Sequence, residues 1–122
     1  MALGPVAQIH LSVTDLDRAV AFYRDVLGIP LLFTVPGQPM AFFASGEVRL
    51  YLGVPEAEEF RTRTVLYYSV DDIDAEHARL VEAGVPALDA GPHVVHRDDD
   101  GELWMAFFTD PDGHKIGLMQ QR

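Results

Sequence analysis

Cysteine is absent from the 122-residue chain, which excludes a disulfide framework, a thiolate nucleophile and a cysteine-based zinc site. Basic residues are scarce. Nine Lys and Arg stand against nineteen Asp and Glu, a formal charge of −10. A surface of that sign repels phosphate backbones and anionic lipid, so neither nucleic acid nor membrane is an expected partner. No apolar run approaches the roughly 18 residues of a membrane span, and the opening MALGPVAQ lacks the basic-then-apolar layout of a signal peptide. The expectation is a cytoplasmic protein. Also missing are a phosphate-cradling glycine loop, an HExxH helix and a Ser-His-Asp chain order. Carboxylates are plentiful but fall in helix caps and turns, which gives acid–base chemistry by a carboxylate dyad no support. What remains is a single domain, 1–122, long enough to bury about two-thirds of its unfolded surface without staples.

Within that length the patterning is regular. AQIHLSV (7–13) alternates Ile9, Leu11 and Val13 against Gln8, His10 and Ser12, the period of a half-buried strand. Thr14 offers an N-cap, Asp15 and Asp17 suit a helix N-terminus, and Leu16, Val20, Tyr23 and Leu27 follow at helical spacing until Gly28. The spacing predicts one amphipathic helix over 15–27. Three strands follow, IPLLFTV (29–35), MAFFAS (40–45) and VRLYLGV (48–54), separated by Pro-Gly-Gln-Pro and Ser-Gly-Glu turns. Residues 55–63 are charged and read as a linker. The order then repeats: TVLYYSV (64–70), a helix capped by Asp71 or Asp72 and ended by Gly84, an extended stretch (85–97) broken at Gly91-Pro92, ELWMAFFT (102–109), and HKIGLMQ (114–120) after an Asp-Pro-Asp-Gly turn.

The repeat is the most informative pattern. SVTDLDRAVAFYRDVLGIP (12–30) and SVDDIDAEHARLVEAGVP (69–86) share Ser-Val, an acidic cap, a helix and a Gly-hydrophobe-Pro exit. Two copies of one β-α-β-β-β module are therefore expected, module 1 over about 6–54 and module 2 over about 64–120. A four-stranded sheet with one helix leaves its other face uncovered. The expected α+β fold is two tandem modules whose curved mixed sheet surrounds a shared cup, a natural ligand site.

The repeated module, the VTDLDRAVAFYRDVLGI segment and the FFTDPDGHKIGLM hairpin resemble the vicinal oxygen chelate superfamily, which includes glyoxalase I, extradiol dioxygenases, fosfomycin-inactivating enzymes and bleomycin-binding resistance proteins. The resemblance spans about residues 6–120. It implies a homodimer and a cup in which family enzymes hold a divalent metal with His, Gln or Glu from the first and last strand of each module. The matching positions here are Gln8, Tyr51, Val65 and Gly117. Glutamine serves in some glyoxalases, but a phenol must lose a proton with a pKa of about 10 to bind a cation, and valine and glycine offer no donor. Hard cations need several converging donors, so no metal is expected.

Alternation turns Gln8, His10, Ser12, Arg49, Tyr51, Val65, Tyr67, Ser69, Lys115, Gly117 and Met119 toward the cup. Gln8, His10, Tyr51, Tyr67, His93, Trp104 and Gly117 are the candidate ligand contacts. His10 is either a proton acceptor near neutral pH or a hydrogen-bonded packing residue. Trp104 is either a stacking surface or plain core. Gly117 either lets a flat ligand approach the backbone or relieves crowding against an aromatic. His93 and His96 are three apart in an extended strand and so point to opposite faces; His93 is the contact candidate. His77 and His114 are expected in solvent, and Asp98-Asp99-Asp100 reads as a solvated turn.

The function these residues favour is binding of a small apolar or aromatic organic molecule without metal or other cofactor. The alternatives are a lyase, isomerase or dioxygenase with a non-standard divalent-metal site, a metal-free catalyst using His10, and an interaction domain with a vestigial cup.

Overall fold

A computed structural model describes residues 2–122. It is α+β, built from two tandem modules that form separate compact units, one running to Arg63 and the other from Thr64 to Arg122. Module 1 contains β1 (Gln8–Ser12), α1 (Leu16–Ala21), β2 (Leu31–Thr34), β3 (Met40–Ser45) and β4 (Val48–Gly53). Module 2 contains β5 (Val65–Ser69), α2 (Ile73–Glu82), β6 (His93–Asp98), β7 (Gly101–Thr109) and β8 (Lys115–Gln121). A single 3₁₀ turn, Glu58–Phe60, lies between β4 and β5.

Strand order is β1-β4-β3-β2 in the first sheet and β5-β8-β7-β6 in the second. In each, the strand preceding the helix pairs in parallel with the last strand, and the other pairings are antiparallel. The registers also repeat. Phe42 opposes Tyr51 and Phe43 opposes Leu50 in module 1, as Phe107 opposes Gly117 and Phe108 opposes Ile116 in module 2.

The first helix cap differs from the pattern-based expectation, and the second is one of the two expected. Asp15, rather than Thr14, caps α1, its carboxylate accepting from Arg18 N–H at 3.1 Å; the Thr14 hydroxyl instead accepts from the Arg18 guanidinium. Asp72 caps α2 in the same way, through Ala75 N–H. An aspartate set three residues before the donor reaches it directly.

The predicted continuous helix over 15–27 is not continuous. After Ala21 the backbone widens into a π-turn, Phe22–Val26, with Leu27 N–H bonded to Phe22 O at 2.9 Å. Both helices then end at a glycine with positive φ, Gly28 at 77° and Gly84 at 83°, a conformation that only glycine adopts at no steric cost. The closing hydrogen bonds record the difference. Val85 N–H reaches back to Leu80 O in module 2, while Ile29 N–H must reach Tyr23 O in module 1.

Each helix covers one face of its own sheet. Leu11, Val13, Ala19, Tyr23, Ala41, Phe43, Leu50 and Leu52 are buried in module 1, and Ile73, Leu80, Ala106, Phe108, Ile116 and Leu118 in module 2. The alternating residues occupy the opposite face. Among the described residues, no helix is long and apolar enough to cross a membrane.

Candidate functional site

In module 1 the face away from the helix carries one ring per strand: His10 on β1, Tyr51 on β4, Phe42 on β3 and Phe33 on β2. The register makes each a direct cross-strand neighbour of the next. Centroids are 4.5 Å apart for His10–Tyr51, 5.0 Å for Tyr51–Phe42 and 4.8 Å for Phe42–Phe33, with interplanar angles of 38°, 16° and 28°. These spacings match the distance between neighbouring strands, so the pleat itself builds the stack. Rings turned toward one another leave open their edges and the outer face of the last ring, and Phe33 is 45% exposed. Gly53 has room for no side chain, since a Cβ there would lie 2.6 Å from the Tyr51 hydroxyl oxygen.

His10 is held at both nitrogens. Nδ1 lies 3.2 Å from Tyr51 O and Nε2 3.1 Å from Ser12 Oγ. A carbonyl only accepts, so in the neutral ring Nδ1 carries the hydrogen and Nε2 accepts from the serine hydroxyl. Ser12 is buried and its Oγ also accepts from Thr62 N–H at 2.8 Å. His10 is thus an oriented member of the row whose acceptor nitrogen is already engaged. Arg49, adjacent on β4, places its guanidinium carbon 5.6 Å from the centroids of both Phe33 and Phe42.

Module 2 repeats part of this. Lys115 Nζ stands 4.2 Å over Phe107, the counterpart of Arg49 over Phe42. Tyr67 meets Phe107 edge-on at 5.9 Å and lies across Gly117. A Cβ at Gly117 would sit 2.7 Å from Tyr67 Cδ2 and 3.1 Å from Phe107 Cε1, so the strand glycine makes the space that Tyr67 fills. Gly117→Ala is expected to destabilise by about 1 kcal/mol or more through overpacking. In a Tyr67→Ala background the same change should become neutral or favourable, because alanine suits a strand better than glycine. Urea denaturation of the four proteins measures the coupling, and its absence would mean that Tyr67 does not rest on Gly117.

Of the other histidines, His77 and His114 are less exposed than the sequence pattern suggests and His96 shares a face with His93, while Trp104 takes one of its two expected places. Trp104 belongs to the helix-covered face with Ala106 and Phe108, its indole N–H donating to Glu102 at 3.0 Å and the Arg122 guanidinium lying over it. It therefore does not join Tyr67 and Gly117. A register shift between Val94 and His96 brings His93 opposite Met105 and His96 opposite Leu103, two positions on one face. The extra residue of such a bulge breaks the strict alternation that separated them. His93 Nδ1 bonds Gly91 O at 2.9 Å, and His96 pairs with Asp98. His114 is buried, not solvated: its Nδ1 accepts from Thr64 N–H at 3.0 Å while its backbone N–H donates to the Asp110 carboxylate at 2.8 Å. His77 is partly buried, with its ring 5.2 Å from Phe108.

The positions that would hold a metal also repeat. Gln8 opposes Arg49, two residues before Tyr51, and Val65 opposes Lys115, two residues before Gly117. The backbone relation survives in both modules, but the groups on it are an amide, a phenol, an isopropyl group and a hydrogen atom. Gln8 is the one neutral donor available without ionisation, and a Gly117 side chain is barred by Tyr67. Among the described residues, no three His, Asp or Glu side chains gather elsewhere to form a cation site. This donor set does not fit a divalent metal.

Two tandem βαβββ modules, each presenting an open sheet face with aromatic side chains, define the fold class. The chain belongs to the Glyoxalase/Bleomycin resistance protein/Dioxygenase superfamily, whose family model matches residues 5–118. It is 30% identical to the metallothiol transferase FosB of Lysinibacillus sphaericus, covering 100% of this chain and 89% of that one. It is 33% identical to the lactoylglutathione lyase of Haemophilus influenzae, covering 92% of this chain and 89% of the relative. Among solved structures it is similar to TnmS3, an antibiotic binding protein from Streptomyces sp. CB03234, with 30% identity, a TM-score of 0.76 and coverage of 100% and 99%.

Proposed function

We propose that this chain binds a planar aromatic organic molecule along the ring row of module 1 without using a metal ion. The observation that carries this reading is the uninterrupted series His10–Tyr51–Phe42–Phe33, one ring from each strand. A flat ligand laid across it meets ring edges, the T-shaped arrangement that aromatic pairs favour, and each such contact contributes about 0.5–1.5 kcal/mol beyond area burial. Tyr51 and Phe42 supply the contact surface, while the two hydrogen bonds of His10 fix its ring in place. The similarity to an antibiotic binding protein supports the same reading. The donor set at Gln8, Tyr51, Val65 and Gly117 argues against the metal chemistry in the FosB relatives' name. No catalytic step is assigned. A homodimer, implied by the resemblance, belongs to the same proposal and is checked by sedimentation.

Trp104 lies on the covered face of its sheet, so calorimetry is the better reporter of binding. Titration with planar compounds of two to four fused rings is expected to yield binders that Tyr51→Ala weakens by about tenfold or more. Failure of the whole panel would remove the proposal. Metal content of protein purified without chelator should be substoichiometric. Stoichiometric nickel, zinc, iron or manganese lost on Gln8→Ala would instead favour the metal-dependent alternative.

A further inference from the structure

The charges on the two open faces identify the ligand class more closely. Acidic residues outnumber basic ones by nineteen to nine, so carboxylate partners are plentiful. Arg24, Arg61, Arg79, Arg97 and Arg122 each pair with an acid: Asp25, Glu58, Glu76, Glu102 and Asp74. Of the others, Arg63, Arg49 and Lys115 form no ion pair among the described residues, and the last two each stand over an aromatic ring instead. They occupy the same place in the repeat, opposite Gln8 and Val65, and each leans on the equivalent phenylalanine, Phe42 and Phe107.

The surroundings of Arg49 agree with an anion. A depression of about 180 Å³ adjoins it, lined by Leu32, Ala44, Gly46, Glu47, Val48 and Arg49, on the scale of a cavity that admits one benzene ring, about 150 Å³. Glu47 is the one acid in that lining, and it does not reach ion-pair distance of the guanidinium. Ring edges carry the positive end of the aromatic quadrupole, so the exposed side of the row has the same sign as Arg49. A guanidinium resting on ring faces is positioned with its remaining N–H donors open to a planar two-oxygen acceptor.

We infer that the ring row of module 1 selects an anionic aromatic ligand, an aryl carboxylate or similarly acidic arene, with Arg49 holding the acid group while the fused rings lie across Tyr51 and Phe42. This rests on the ring-row reading above, and the probes separate the two. 2-Naphthoate, its neutral isostere 2-naphthamide and the cationic 2-naphthylmethylammonium share one ring system. Calorimetric titration of the full chain is expected to rank naphthoate at least about tenfold tighter than naphthamide, with the cation weakest. Arg49→Gln, at an exposed strand position and checked for folding by circular dichroism, should bring naphthoate down to the affinity of naphthamide.

Equal binding of naphthoate and naphthamide, both still weakened by Tyr51→Ala, would overturn the anion selectivity and leave the ring row standing. No binding of any probe would remove both. Loss of naphthoate on Lys115→Gln with no effect of Arg49→Gln would place the acid group on module 2 and overturn the assignment to Arg49. A changed sedimentation coefficient in Arg49→Gln, with naphthoate affinity unaltered, would assign this face to a second copy of the chain and overturn it as well.

Discussion

Phe43→Ala and Phe108→Ala should each lower the free energy of unfolding by about 3–5 kcal/mol. The two rings are fully buried and occupy the same register position in the two modules, opposite Leu50 and Ile116. Phe43 packs toward Tyr23 under the first helix, and Phe108 toward His77 under the second. Removing either leaves a void the size of a phenyl group between helix and sheet, in a compact unit with no second core to redistribute into. Domains of this size have stabilities of about 5–15 kcal/mol, so either change removes a large share. Urea denaturation with linear extrapolation measures both. A loss below about 1 kcal/mol for one of them would show that its helix does not press on that ring.

Alkaline pH should destabilise the protein through Tyr68. Its hydroxyl is buried without a hydrogen-bond partner among the described residues. Burial, and to a lesser degree the nearby Asp110 charge, pushes its pKa from the ordinary value up to about 12. A phenol harder to ionise folded than unfolded contributes full stability below pH 10. That contribution falls as pH rises from 10 through 12, by about 3 kcal/mol in all, since each pKa unit corresponds to about 1.4 kcal/mol. Arginine and lysine also titrate at high pH, so the readout is the difference between wild type and Tyr68→Phe across that window. Phenylalanine keeps the ring and deletes the partnerless oxygen, so the variant should be as stable as wild type at pH 7 or up to about 1 kcal/mol more stable. Parallel alkaline curves for the two proteins would contradict this role for Tyr68.

The sequence made the modules legible because three independent signals coincide: period-two strands, acidic caps and terminal glycines. Alternation also separated Leu50 and Leu52, which are buried, from Arg49 and Tyr51 on the same strand. It failed where the backbone adds a residue or where both faces of a strand are apolar. The shift at Val94–His96 is invisible to residue type, which is why His93 and His96 were separated on paper and share a face in the fold. ELWMAFFT gives no periodic contrast, so nothing in it could assign Trp104 to the helix side. His114 looked like a surface residue because it follows a turn. Its imidazole is instead the acceptor that ties the hairpin to the start of β5, a role set by one backbone N–H fifty residues away. Phe33 was unreadable as the end of the ring row because Leu31, Leu32 and Phe33 run without polar contrast and the pairing of β2 with β3 is itself shifted.

The widened turn at Phe22–Val26 has a counterpart in simple counting. Val13 to Gly28 spans fifteen steps and Val70 to Gly84 fourteen, and the surplus residue is absorbed inside the helix rather than in a loop. Duplicated halves can therefore drift in length without moving the strand that follows: a single insertion is taken up as a swelling of one helical turn, and the glycine exit is delivered to its usual place.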